Sequence, residues 1–346
     1  FYTSEAHPSA PLFYLPYIIT GQIVGRFFDA SDPRLAPALM VAFRILQAIC
    51  NALLIPVMYA FIAAFTGSVK TRRLALTLAT FGGGIGWLLA LTGNNGLLGS
   101  LPIDVYVPEG FSFLVLFGLP HIALGRAALL GLLLAVMRSL PPHPLTPSPT
   151  QAERGENRAT SVSPPRIRGG VWLLLAIVCG YVVALAVPFY LALVYVILGA
   201  WGLAAWILNR RFPTRLFWHA VIVGLATLPI FGYFAFQFYL NDVFSVWSSQ
   251  NDLPSPHPLH YMFGYALLLI PAAVAVWRVW RSIAARPSKG RASESKPPEG
   301  GSTARFSGLS TVAGGFEPPA LRLSLLLGWL LIVPLLVYLP MNVQRR

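Results

Sequence analysis

Glu109, His121 and Arg126 fall within PEGFSFLVLFGLPHIALGR (108–126), an acid at the start of an apolar run with a His and an Arg further along it. An ionisable group inside an apolar run is costly to bury in lipid, so each is a functional candidate. A carboxylate at a water boundary can take a proton as a general base. A guanidinium offers a planar fork of donors to phosphate oxygens. That set suits a substrate with a reacting polar head and a phosphate. The plainer alternative is that Arg126 snorkels or bonds a neighbouring carbonyl and that His121 is a satisfied core residue. Arg44, Gln47 and Asn51 recur at intervals of three and four, which places them along one helical face. Either they hydrogen-bond to neighbouring helices, or they line a wet cavity in which the charge of Arg44 calls for an anionic partner.

Further candidates lie in polar stretches beside the apolar runs. Glu5 and His7 open the chain, followed by Pro8 and Pro11. NDVFSVWSSQNDLPSPHPLHY (241–261) adds Asp242, Trp247, Asp252, His257 and His260. Together these acids, histidines and aromatics make a vestibule of the kind that handles sugars. Arg345 and Arg346 end the chain after an apolar run, where a guanidinium pair can bind a lipid phosphate. Acids and histidines are also metal ligands, but no HExxH motif supports zinc, so no tight metal site is predicted. The two cysteines, Cys50 and Cys179, both lie in apolar runs, which argues against a disulfide scaffold.

Composition decides what must position these groups. Of the 346 residues 56% are hydrophobic and 11% charged, with a mean hydropathy of +0.65. A soluble domain carries about 25% charged residues, so a soluble enzyme and a disordered chain are both excluded. The net charge of +13 does not point to nucleic acid. A nucleic-acid binder gathers its Lys and Arg on one water-facing surface, whereas here they sit in short clusters between apolar runs. The expected fold is an all-α polytopic membrane helix bundle. It has about eight spans: 37–66, 74–92, 113–137, 171–187, 189–209, 216–240, 259–281 and 321–340. Pro188 divides 171–209 into a tight helical hairpin. Gly82 and Gly86 are spaced for close helix contact within one span, and no Lys follows them to make a nucleotide loop.

Most of the 25 Lys and Arg fall in four clusters: Lys70 with Arg72 and Arg73, the Arg of 138–170, Arg210 with Arg211 and Arg215, and the basic residues of 278–322. The span order puts all four on one side, read as cytoplasmic by the excess of positive charge. Glu5, Asp29, Asp32, Asp104, Glu109, Asp242 and Asp252 fall on the other. For Glu5 to stay with these acids, 11–28 is read as an interfacial or re-entrant segment on the external face, with an ordinary ninth span as the alternative. In order, the chain comprises an external juxtamembrane segment (1–36), the first part of the bundle (37–137), a cytoplasmic linker (138–170), the second part of the bundle (171–281), a second linker (282–320), and a last span with a basic external end (321–346). The linkers are rich in Pro, Gly, Ser and charge and are expected to be disordered. The chain starts at Phe1 without a Met and reads as a piece of a longer protein that lacks its N-terminus.

HPSAPLFYLPYIITGQIVGRFF on an external segment, the FRILQ helix (43–47) leading towards KTRR, an external acid before a span (Glu109) and the closing QRR resemble the GT-C class of polytopic, lipid-linked-sugar-dependent glycosyltransferases. The aminoarabinose and protein O-mannosyl transferases belong to that class. Its first helix and the acidic motif after it would precede Phe1, so that either Glu5 stands in for that acid or the catalytic acid is missing from this chain. The resemblance implies an enzyme of a bacterial plasma membrane with its site facing outside. A sugar would pass, with inversion, from a polyprenyl-phosphate donor to an unidentified acceptor. Glu5 or Glu109 would deprotonate the acceptor hydroxyl, and Arg44, Arg126 or the Arg345/Arg346 pair would stabilise the departing lipid phosphate. The resemblance names no definite cofactor, and participation of a divalent cation is left open. A transporter or lipid flippase with a polar intramembrane site is the competing reading, and a non-catalytic membrane scaffold is a third.

Overall fold

A computed structural model describes residues 12, 14–94, 96–99, 103–106, 110–140, 169–240, 257–284 and 322–330. These residues form helices and turns, with no strand among them. The helices are α1 (Leu15–Gly25), α2 (Leu35–Ala63), α3 (Val69–Phe81), α4 (Gly86–Leu91), α5 (Ile103–Tyr106), α6 (Ser112–Gly118), α7 (Pro120–Ser139), α8 (Gly169–Ala186), α9 (Pro188–Asn209), α10 (Thr214–Leu240), α11 (Pro258–Gly264), α12 (Ala266–Ala284) and α13 (322–330). Among the described residues six stretches are long and apolar enough to cross a membrane: α2, Val69–Leu91, α7, α8, α9 and α10. The protein is therefore an all-α integral membrane bundle. The expected linkers 138–170 and 282–320 lie outside the described residues, apart from the chain ends at their borders.

The expected spans differ from the helices at three points. The run 113–137 divides at Leu119, between α6 and α7. The run 74–92 divides at 82–85, between α3 and α4. The run 259–281 divides at Tyr265, between α11 and α12. Of 321–340, only 322–330 is described. The short α1 covers eleven residues, about 16 Å at 1.5 Å per residue, or roughly half of a hydrocarbon core about 30 Å thick.

The chain falls into two compact units. The larger (1–76, 112–255 and 315–346) is organised around α7, which packs against α2, α6, α8, α9 and α10. Within the apolar window of α7, 72% of residues are buried, against 22–33% in the other five stretches. Thus α7 is the centre, and its neighbours turn large side chains such as Met40, Ile45, Leu174 and Leu225 outward, as lipid-facing helices do. The core joins Leu132, Leu133 and Val136 to Val183, Leu191, Val194, Trp201 and Val223. As expected from Pro188, α8 and α9 form a hairpin. Val187 takes an extended conformation (φ −145°, ψ 87°), because a residue before proline is kept from the helical region. At its start, α2 is preceded by Asp32, whose carboxylate accepts from the Arg34 backbone N–H at 2.8 Å and sits favourably at a helix N-terminus. At its end, the Ala64 carbonyl accepts from Arg322 (2.6 Å) and the Thr66 carbonyl from Arg72 (2.7 Å). These cations match the negative end of the helix dipole.

The smaller unit (77–111 and 256–314) holds the end of α3 with α4, α5, α11 and α12. The glycines of 82–86 do serve close contact, but through an interrupted helix. Gly84 lies so near the backbone of Phe263 and Gly264 that a Cβ there would overlap both. The Ile85 N–H donates to the Phe263 carbonyl at 2.9 Å. Asp104 anchors the restart of the helix: its Oδ2 accepts from the N–H of Gly86, the first residue of α4, at 2.9 Å.

Candidate functional site

The candidate site is built on the break between α6 and α7 in the larger unit. Pro120 opens α7 and has no N–H. The Leu116 carbonyl, four residues earlier, therefore has no helical donor to accept from. Leu119 is forced out of the helical region (φ −126°, ψ 68°) by the proline that follows it. Inside a bilayer an unpaired carbonyl costs several kcal/mol. The face of α2 supplies the missing donors. Gln47 Nε2 and Asn51 Nδ2 both donate to the Leu116 carbonyl, at 2.6 and 2.7 Å. Arg44 Nη1 donates to Gln47 Oε1 at 2.8 Å and reaches the Phe117 carbonyl at 3.4 Å. The helical face read from spacing is thus real. For Gln47 and Asn51 its work is interhelical hydrogen bonding.

Arg44 differs from them. Its side chain is exposed, and among the described residues no carboxylate pairs with it. Both of its hydrogen bonds use Nη1, so its fork is held in place by one nitrogen. Its guanidinium also sits 5.9 Å from the centroid of the Phe43 ring. That ring stacks on Tyr17 of α1 (6.0 Å, 15°). The Tyr17 hydroxyl in turn meets His121 Nδ1 at 2.5 Å. Either group can donate in this contact, according to the ring tautomer. Tyr14 adds an edge-on ring contact to His121 at 4.9 Å. It does so from a left-handed backbone (φ 53°), which is strained for a bulky residue. Arg126 lies along α7, where its Nη1 donates to Ser112 Oγ at the start of α6 (3.3 Å).

The sequence candidates separate accordingly. Arg44, Asn51 and His121 share one neighbourhood, joined through Gln47, the Leu116 and Phe117 carbonyls, Phe43 and Tyr17. Arg126 touches the other end of the same broken segment. His257 belongs to the smaller unit and caps α11, its Nδ1 accepting from the Leu259 N–H at 3.3 Å. Glu5, His7, Glu109, Asp242, Arg345 and Arg346 lie outside the described residues. Among the described residues no group of three or more His, Cys, Asp or Glu is placed to hold a metal ion. Sequence reasoning missed Tyr17, Tyr14, Phe43 and Ser112. One signal was available: Pro120 stands four residues after Leu116, and a proline inside an apolar run announces a carbonyl in need of a donor.

Compared with models of known protein families, with characterised proteins and with solved structures, the chain matches none.

Proposed function

We propose that this integral membrane protein is a glycosyltransferase that moves a sugar from a polyprenyl-phosphate donor to an acceptor hydroxyl, with its site on the outer side of a bacterial plasma membrane. The observation that carries this reading is Arg44. It is an exposed guanidinium on a spanning helix, held by Gln47 and the Phe117 carbonyl, with no carboxylate partner among the described residues. A lipid-linked phosphate presents the matching charge at the edge of the bilayer. In the proposed reaction the acceptor oxygen attacks the anomeric carbon. Its proton passes to the carboxylate of Glu109 or Glu5, and the bond from the anomeric carbon to the phosphate oxygen breaks. The electron pair leaves with the lipid phosphate, whose negative charge Arg44 stabilises. The inversion expected at the anomeric carbon follows from this single displacement.

The competing reading, a transporter or flippase, draws support from the interrupted runs at Leu119 and at 82–85. Transporters place substrate sites at helices broken in this way. Reconstitution of the full chain in proteoliposomes holding a polyprenyl-phosphate sugar separates the two. A new glycosidic bond that disappears in the Glu109→Gln/Glu5→Gln double variant supports transfer. Movement of the intact lipid-linked sugar between leaflets, with no new bond, supports the transporter. Wild-type transfer in that double variant would eliminate the proposed base.

A further inference from the structure

Gln47 stands between the broken α6–α7 segment and Arg44. It is buried, and its amide makes two hydrogen bonds. Nε2 donates to the Leu116 carbonyl at 2.6 Å, and Oε1 accepts from Arg44 Nη1 at 2.8 Å. A carbonyl can only accept and a guanidinium can only donate, so the amide fits between them one way round. The Leu116 carbonyl is open to Gln47 because Pro120 brings no N–H to it. The direction of Gln47 Oε1, and through it the place of the guanidinium, is therefore set by the break between α6 and α7. Asn51 offers a comparison within the same face. It donates to the same carbonyl at 2.7 Å but makes no hydrogen bond to Arg44.

The contact with Gln47 leaves a defined part of Arg44 open. Both of its hydrogen bonds use Nη1, and the second, to the Phe117 carbonyl, is long at 3.4 Å. Among the described residues Nε and Nη2 donate to no acceptor. Those two nitrogens carry the parallel N–H bonds that grip two oxygens of one phosphate. We propose that Gln47 is a positioning residue: it holds Arg44 by Nη1 and so presents the Nε/Nη2 edge to the phosphate of the lipid-linked donor. This rests on the reading of Arg44 as the group that meets that phosphate. Without Gln47 the guanidinium keeps its charge but loses the shorter of its two bonds. The side-chain freedom it regains must then be frozen again when the phosphate binds.

The test is native mass spectrometry of the full chain in a non-ionic detergent, titrated with undecaprenyl phosphate and, as the same chain without the phosphate, with undecaprenol. Arg44→Gln weakens binding of the phosphate lipid at least about tenfold, the scale of a charge-assisted pair. Gln47→Leu and the unbranched Gln47→Met each weaken it about fivefold, the scale of one hydrogen bond. Asn51→Leu, which removes a bond to the same carbonyl, leaves the affinity near wild type. Undecaprenol binds all these variants alike. In the Arg44→Gln background Gln47→Leu causes no further loss, because its effect runs through the guanidinium, whereas a purely structural role would add its own loss. The proposal is overturned by wild-type affinity in both Gln47 variants, by an equal loss in Asn51→Leu, by a matching loss of undecaprenol, or by a further loss in the double variant. Wild-type affinity in Arg44→Gln overturns the reading of Arg44 itself, so the two failures are told apart.

Discussion

Replacing both Gln47 and Asn51 by leucine leaves the Leu116 carbonyl with no donor, because Pro120 cannot supply one. The two single variants are mild. In Gln47→Leu the Asn51 amide still pairs the carbonyl; the variant loses one interhelical bond, worth about 0.6 kcal/mol in a membrane protein, and the bond that Gln47 Oε1 accepts from the exposed Arg44. In Asn51→Leu the lost bond is offset by removal of Asn51 Oδ1, a buried oxygen without a partner among the described residues, so the net change is close to zero. The double variant adds the cost of an orphaned buried carbonyl, about 1–3 kcal/mol. The expected loss is therefore about 2–4 kcal/mol, well above the sum of the singles. Reversible unfolding of the full chain in mixed micelles, titrated with SDS, measures all three. A further change sharpens the test. Pro120→Ala in the double-variant background restores an N–H four residues after Leu116 and should recover at least about 1 kcal/mol. Additivity of the two singles within about 0.5 kcal/mol, with no recovery on Pro120→Ala, would show that the Leu116 carbonyl does not depend on these two amides.

Three further outcomes are expected. Gly84→Ala introduces a Cβ that overlaps Phe263 and Gly264; this overpacking should cost about 1–3 kcal/mol, read as a lower thermal midpoint of the purified protein. Asp104→Asn keeps an oxygen acceptor for the Gly86 N–H, whereas Asp104→Ala removes it; the alanine variant should lose about 0.5–2 kcal/mol in the same melt and the asparagine variant much less. The Arg34 side chain, with its backbone N–H, holds the Asp32 carboxyl below the usual range. The small stability this contributes is present above the ordinary carboxylate range and lost as pH falls through the lowered value. Arg34→Ala should raise the Asp32 titration midpoint, measured by carbon NMR, and no change would discount the side-chain bond.

Much of the fold is legible in the sequence because the bilayer imposes length and hydropathy on each span. Pro188 divides its apolar run as expected, and Arg44, Gln47 and Asn51 share the face that their spacing predicts. The breaks at Leu119, 82–85 and Tyr265 are less visible, since hydropathy averaged over a span passes across a few non-helical residues. Pro120 and the Gly82–Gly84 run mark two of those breaks, but hydrophobicity alone masks them. The partner of Gln47 and Asn51 is a backbone carbonyl, which has no identity in a sequence. The Tyr17–His121 pair spans a separation that only tertiary packing closes. At a helix entry the sequence does not show that His257 caps α11, because the Leu259 N–H it accepts from is again a backbone group.

The proposed transfer depends on Arg44 meeting a lipid-linked phosphate. Its most direct test is turnover of a polyprenyl-phosphate sugar by the reconstituted full chain and by its Arg44→Gln form, each confirmed folded. In the Arg44→Gln form kcat should fall by about 10²–10³, the usual effect of removing a donor that stabilises developing charge, and Arg44→Lys should restore part of it. An Arg44→Gln protein that transfers the sugar at the wild-type rate would contradict this dependence on Arg44.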